Sequence, residues 1–226
     1  MNVKEQQGET LRYLAIEPDG YVSERQYPMI VLLHGFGASM SDLARLTESI
    51  SSDGYVYICP SGPMSVRLGG GMLGYAWVSP SEGGLIEEAQ RVEEMLTVML
   101  EEVMDHYQVT HGQAIIGGFS QGGMVSYYYG LMKSDLFRGV VALSAKVPHA
   151  EVLRTRLPAQ RNQDIFIAHG TSDEIVSIDH ARESLEFLEA EGYNPVYKEY
   201  PMGHEISQDV LDDLIPWIHG VIPPLL

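Results

Sequence analysis

The chain has 226 residues, 45% of them hydrophobic and 20% charged, with 31 acidic side chains against 14 basic ones and a net charge of −17. This length fits one domain, residues 1–226, and this balance excludes a disordered chain. The negative charge disfavours nucleic acid and stable membrane association, because polyphosphates and anionic lipids would repel it.

No apolar run is long enough to span a bilayer, and the opening Met1-Asn2-Val3-Lys4-Glu5-Gln6-Gln7 lacks an apolar signal core, so a cytoplasmic location is expected. The spacing predicts strands at Leu11–Ile16 and about Val22–Gln26, joined as an antiparallel hairpin by Pro18-Asp19-Gly20. Met29–Leu33 is a continuous apolar run, the mark of a strand buried on both faces. A helix is expected over Ser41–Ser51, with Ser39 or Ser41 able to cap it. Tyr55–Cys59 is the next strand. It ends on the single cysteine, which reads as a small buried side chain and allows no intrachain disulfide. Ser61–Gly84 is rich in Gly and Pro and contains Arg67, Gly69-Gly70-Gly71 and Trp77. It reads as a long loop of the kind that touches substrate, with Met72 and Trp77 as its candidate contacts.

The clearest helix runs from about Leu85 to Tyr107. Leu85, Ala89, Val92, Leu96, Met99 and Val103 form one stripe, while Glu87-Glu88, Glu93-Glu94 and Glu101-Glu102 face solvent. Strands at Gln113–Gly118, Gly139–Leu143, Asp164–Ala168 and Tyr193–Tyr200 follow. Between and after them lie helices at Gln121–Met132, Ile178–Glu191, stopped by Gly192, and Ile206–His219. Such alternation implies an α/β fold: a mostly parallel central sheet of about eight strands with helices on both faces.

Gly118-Phe119-Ser120-Gln121-Gly122 matches G-x-S-x-G, the nucleophile elbow, and stands between a strand and a helix as that motif requires. Side chains two before and two after the serine would collide across so sharp a turn, and the glycines remove them. A serine hydroxyl needs a histidine base oriented by a carboxylate, and in this arrangement both follow the serine in the chain. Asp173, just past the strand ending at Ala168, is the best carboxylate, with Glu174 its competitor; Asp135 and Asp179 read as helix ends, and Asp164 opens a strand. His204, in Pro201-Met202-Gly203-His204-Glu205 after the last strand, is the best base. His149 lacks a strand-end setting, His169 reads as a packed strand-end residue, and His180 and His219 fall in helices.

An oxyanion would need two backbone donors, expected at the N–H of Gln121 and, from Leu33-His34-Gly35-Phe36-Gly37, the N–H of Phe36. His34 is expected to brace that loop. No H-E-x-x-H or paired Cys/His spacing appears, so no metal is expected, and Gly69-Gly70-Gly71 lacks the G-K-[ST] of a phosphate cradle.

With these residues the sequence resembles the phospholipase/carboxylesterase family of α/β-hydrolases, which includes acyl-protein thioesterases. The resemblance runs from about Met29 to the C-terminus. It rests on Leu33-His34-Gly35-Phe36-Gly37, Gly117–Gly123, His169-Gly170-Thr171-Ser172-Asp173 with Ile175-Val176, and Met202-Gly203-His204-Glu205-Ile206. It implies the α/β-hydrolase fold with little or no lid, a Ser120–Asp173–His204 triad, an oxyanion hole at Phe36 and Gln121, no cofactor, and cleavage of carboxylic esters or thioesters. Val176, beside the carboxylate, joins Met72 and Trp77 as a candidate substrate contact. Two segments depart from the family pattern: Ala38-Ser39 stands where an acidic residue often follows the His-Gly turn, and Trp77-Val78-Ser79 where Trp-Phe-Asp is common.

The expected function is therefore a serine carboxylesterase acting on small-molecule esters of short to medium chain. Lysophospholipase or acyl-protein thioesterase activity is the alternative, distinguished by a preference for long acyl chains. A peptidase would be revealed by amide substrates, and a non-catalytic binding module would have a broken triad. Apolar residues around the long loop are a candidate contact for a homodimer.

Overall fold

The structure is a computed structural model and describes residues 1–80 and 86–225. The chain opens with β1 (Asn2–Gln7) and β2 (Arg12–Glu17), an antiparallel hairpin, and enters the interior as β3 (Met29–Leu33). Two single turns, α1 (Ser41–Ala44) and α2 (Thr47–Ile50), lead to β4 (Val56–Pro60). A small hairpin of β5 (Met64–Arg67) and β6 (Leu73–Ala76) comes next, followed by the long helix α3 (Ile86–His106). Then come β7 (Ala114–Phe119), α4 (Gln121–Val125), β8 (Phe137–Leu143) and α5 (Ala150–Arg156). The chain ends with β9 (Asp164–Gly170), α6 (Ile178–Ala190), β10 (Val196–Tyr200) and α7 (Gln208–Val221).

Among the described residues eight strands make one sheet, in the order β1-β2-β4-β3-β7-β8-β9-β10. From β4 to β10 all neighbours are parallel; β1 and β2 run antiparallel at one edge. The period of two along each strand divides the core. Met29, Val31 and Leu33 with Ala114 and Ile116 face α3, whose Val92, Leu96, Met99 and Val103 form the expected stripe. Ile30 and Leu32 with Ile115, Val141 and Phe166 face Leu43, Ile50 and the α7 residues Val210, Leu214 and Ile218. Parallel strands covered on both faces leave one open end, and β3, β7, β8, β9 and β10 all deliver their C-termini there. The chain leaves β3 for β4 on one side, while β7 lies on the other. The crevice between β3 and β7 is thus the reversal point at which open α/β sheets bind ligands.

Several expectations need correction. Val22–Gln26 is not a strand but a pair of turns, with Tyr21 N–H on the Pro18 carbonyl and Arg25 N–H on the Val22 carbonyl. The first hairpin uses Asn2–Gln7 instead. That strand is exposed along its whole length, so no alternation of apolar side chains marks it. It is held by its ladder and by Lys4 and Asn2 reaching the buried carboxylate of Glu17, at 2.6 and 3.0 Å. The Ser41–Ser51 helix is broken into two turns. The Gln121–Met132 helix loosens into a π-turn at Ser126–Gly130, where Ser126 Oγ donates to the Gly122 carbonyl at 2.9 Å. Of the supposed loop Ser61–Gly84, Met64–Ala76 is a hairpin with its glycines at the tip. Residues 81–84 and the expected helix start at Leu85 lie outside the described residues.

If the α3 stripe anchors one face of the sheet, Leu96→Ala should cost about 2–5 kcal/mol, whereas Glu94→Ala on the solvent side should change stability by no more than about 0.5 kcal/mol. Urea unfolding of the two variants checks this.

Candidate active site

β7 ends on Phe119, and the chain reverses into α4 through Ser120, whose backbone stands at φ 53°, ψ −118°. A non-glycine residue so placed is strained by about 1–3 kcal/mol and is tolerated only where its surroundings dictate it. Here they do. A Cβ on Gly122 would lie 2.0 Å from the Leu33 carbonyl oxygen, and one on Gly118 would lie 2.4 Å from the Gly122 carbonyl carbon. Ser120 N–H donates to the Leu143 carbonyl at 2.8 Å, and its own carbonyl accepts from Met124 N–H at 3.0 Å.

The later strand ends bring two partners to the serine. Ser120 Oγ is 2.9 Å from His204 Nε2, and His204 Nδ1 is 2.7 Å from Asp173 Oδ2. The other oxygen, Oδ1, accepts the N–H groups of Ile175 and Val176, both at 2.9 Å. Burial pushes the Asp173 carboxyl up. The hydrogen bond from His204, those from Val176 and Ile175, and the charge of His204 outweigh it, so the group is held below the usual carboxylate range. Glu174, the competing carboxylate, points to solvent. The imidazole packs against the Phe119 ring at 4.7 Å between centroids.

The loops after β9 and β10 are knitted together. Thr171 N–H reaches the Tyr200 carbonyl and Ser172 N–H the Met202 carbonyl, and Gly170 passes so close to Met202 and Gly203 that a side chain would clash. His169, fully buried, is 2.7 Å from the Val176 carbonyl through Nε2, so that nitrogen carries the proton and ties the loop shut. It is a packed strand-end residue, as expected.

After β3, His34 is also buried. Its Nδ1 lies 2.7 Å from the Gly35 carbonyl, which can only accept, and its Nε2 accepts from Gly62 N–H at 2.9 Å. One neutral tautomer satisfies both contacts. Burial lowers its pKa; the Gly35 hydrogen bond and the charge of Asp42 pull the other way but do not prevail. The loop is pinned again at Ala38, which bridges Tyr75, and Gly37 N–H donates to the Tyr75 carbonyl at 2.8 Å.

Of the expected substrate contacts, Val176 lines an open cleft over Ser120, together with Phe36, Gln121, Met124, Lys146 and His180; the cleft holds about 330 Å³. Trp77 does not line it. The ring is buried as a brace: its indole N–H donates to the His34 carbonyl at 2.9 Å, and its backbone N–H donates to Gln121 Oε1 at 2.7 Å. Gln121 Nε2 completes the clamp on the Val78 carbonyl at 2.8 Å. Met72 sits away from the cleft at the hairpin tip, 64% exposed, where the turn Gly69–Gly71 carries it outward. The sequence reading missed the Gln121 side chain as a clamp and passed over Met124 and Lys146 as lining residues. For Lys146 the signal was available, since it follows the C-terminus of β8 by three residues. Among the described residues no cluster of His, Cys, Asp or Glu could hold a metal ion, and no helix is long and apolar enough to cross a membrane.

The profile of the Phospholipase/Carboxylesterase family matches residues 21–222. The chain is 31% identical to acyl-protein thioesterase 1 of Debaryomyces hansenii over 85% of its own length and 90% of that protein. Among solved structures it superposes on esterase PE8 with a TM-score of 0.78 at 21% identity, covering 98% of this chain and 100% of that one. It superposes on the Bacillus cereus carboxylesterase with a TM-score of 0.77 at 20% identity, covering 94% and 95%. The fold is the α/β-hydrolase fold, and the chain belongs to the phospholipase/carboxylesterase family.

Proposed function

We propose that this protein is a serine carboxylesterase, cytoplasmic and working as one domain, that hydrolyses small-molecule esters through an acyl-enzyme. The observation that carries the reading is the unbroken relay from Ser120 Oγ through His204 to Asp173 on a strained elbow. His204 Nε2 takes the Ser120 proton as Oγ attacks the ester carbonyl. The N–H groups of Gln121 and Phe36 hold the oxyanion, His204 returns the proton to the departing alcohol, and water repeats the sequence to release the acid. Asp173 keeps the proton of the neutral imidazole on Nδ1 and stabilises the imidazolium that forms. An intact relay argues against a binding module.

Short to medium acyl chains fit best. The cleft, about 330 Å³, is at the small end for ligand sites. An apolar crevice behind Met124, lined by Val78, Ala89, Val92 and Tyr128, has only about 20 Å³ free. A second reading, hydrolysis of long-chain thioesters, is favoured by the thioesterase relatives and would need Met124 to swing aside.

With p-nitrophenyl esters from acetate to palmitate, kcat/KM should peak at short or medium chains, and Ser120→Ala should lower it by at least about 10⁴-fold. A peak at palmitate would select the second reading. The hydrogen bonds that hold the Asp173 carboxyl below the usual carboxylate range keep it ionised as pH falls, so kcat/KM should decline on acidification with no separate step from Asp173 in the ordinary carboxylate range. A stopped pH–rate series checks this; activity that rises on acidification would contradict it.

A further inference from the structure

We propose that Lys146 makes the cleft select esters carrying a second, anionic group, a carboxylate or a phosphate, away from the reacting carbonyl. The inference rests on the ester-hydrolase reading and names its substrate class. Lys146 stands on the same rim of strand ends as Ser120, Asp173 and His204, and it lines the cleft with Ser120. Cations are scarce in this chain, 14 against 31 carboxylates, and many are committed. Lys4, Arg154, Arg156, Arg182 and Lys198 each sit on a carboxylate at 2.6 to 2.9 Å.

Among the described residues Lys146 has no such partner, and no acidic side chain lines the cleft. The nearby carboxylate of Asp173 is buried with both oxygens engaged. His180, the other basic group on the wall, already has Glu183 at 3.3 Å. The summed field of a −17 chain repels anions, and an ammonium with no carboxylate partner on the cleft wall opposes that repulsion locally. A wholly apolar ester would gain nothing from it. Lys146 and His180 also border an adjoining groove of about 230 Å³, lined as well by Pro148, Phe187 and Glu183, the last 3.3 Å from His180, which leaves room for a substrate end beyond the reacting group. Lysine binds carboxylate or phosphate as a point charge, so both chemistries qualify.

Matched ester pairs test the inference. Monoethyl glutarate against ethyl valerate reads a carboxylate. Monobutyrylglycerol phosphate against monobutyrylglycerol reads a phosphate. Acid release gives kcat/KM for each. The anionic-to-neutral ratio should fall roughly fivefold in Lys146→Ala, the scale of a solvated ion pair. It should fall further in Lys146→Glu, survive in Lys146→Arg and shrink in high salt. The pair with the larger effect names the source. A ratio that does not move in either pair, or equal losses on neutral and anionic members, would overturn the inference. Titration calorimetry of the Ser120→Ala protein with monoethyl and diethyl glutarate reads the same preference without turnover. Tighter binding of the monoester that disappears on adding Lys146→Ala supports the inference, and no preference overturns it. Absence of turnover on all four esters would count against the ester-hydrolase reading alone.

Discussion

The approach of the α4 N-terminus to the end of β3 sets the position of nearly everything at the open edge of the sheet. Gly122 lies so close to the Leu33 carbonyl that any side chain would drive the two apart. That contact fixes how sharply the chain reverses after β7, and so holds Ser120 in the backbone conformation at φ 53° that aims its hydroxyl out of the sheet. It also sets Ser120 beside the loop that follows β3, so that Phe36 and Gln121 line one cleft with it. The strain of one residue is offset by a sheet whose β3, β7 and β8 are buried on both faces.

Hydrogen bonds between buried groups then join the remaining loops to this centre. His34, Trp77 and Gln121 form one network linking the loop after β3, the segment after β6 and the start of α4. Each group is desolvated, so losing one partner would strand another, and the energetic penalty keeps the arrangement single. On the other side the β9 and β10 loops interlock at Gly170, and His169 closes the turn that presents Asp173 to His204. Both buried histidines are held in one tautomer by carbonyl acceptors, while the imidazole of His204 stands within hydrogen-bond reach of Ser120 Oγ.

Chemistry and burial were legible in the sequence where they leave few choices. Ser120, Asp173 and His204 could be picked out because a relay needs those residue types at successive strand ends, and the structure brings all three within hydrogen-bond reach. The α3 stripe was plain because it must cover a sheet. β1 was not, because a polar edge strand buries no face and leaves no periodic signal. The hairpin of β5 and β6 read as a loop because four-residue strands around a glycine turn look like one. Trp77 was misread for a different reason: an aromatic residue in a Gly-rich stretch looks the same whether it meets substrate or, as here, braces His34 and Gln121.

Family membership and the geometry at Ser120 both support the proposal of acyl transfer, and among the described residues the cleft over Ser120 is lined by one lysine, Lys146. Everything proposed for the cleft depends on Ser120 Oγ being the atom acylated. Incubating the protein with diethyl p-nitrophenyl phosphate, digesting it and mapping the adduct by mass spectrometry tests that directly. One diethylphosphoryl group is expected, on the peptide containing Ser120, formed far more slowly when His204 is replaced by alanine. An adduct on another residue, or labelling of Ser120 that ignores the loss of His204, would contradict it.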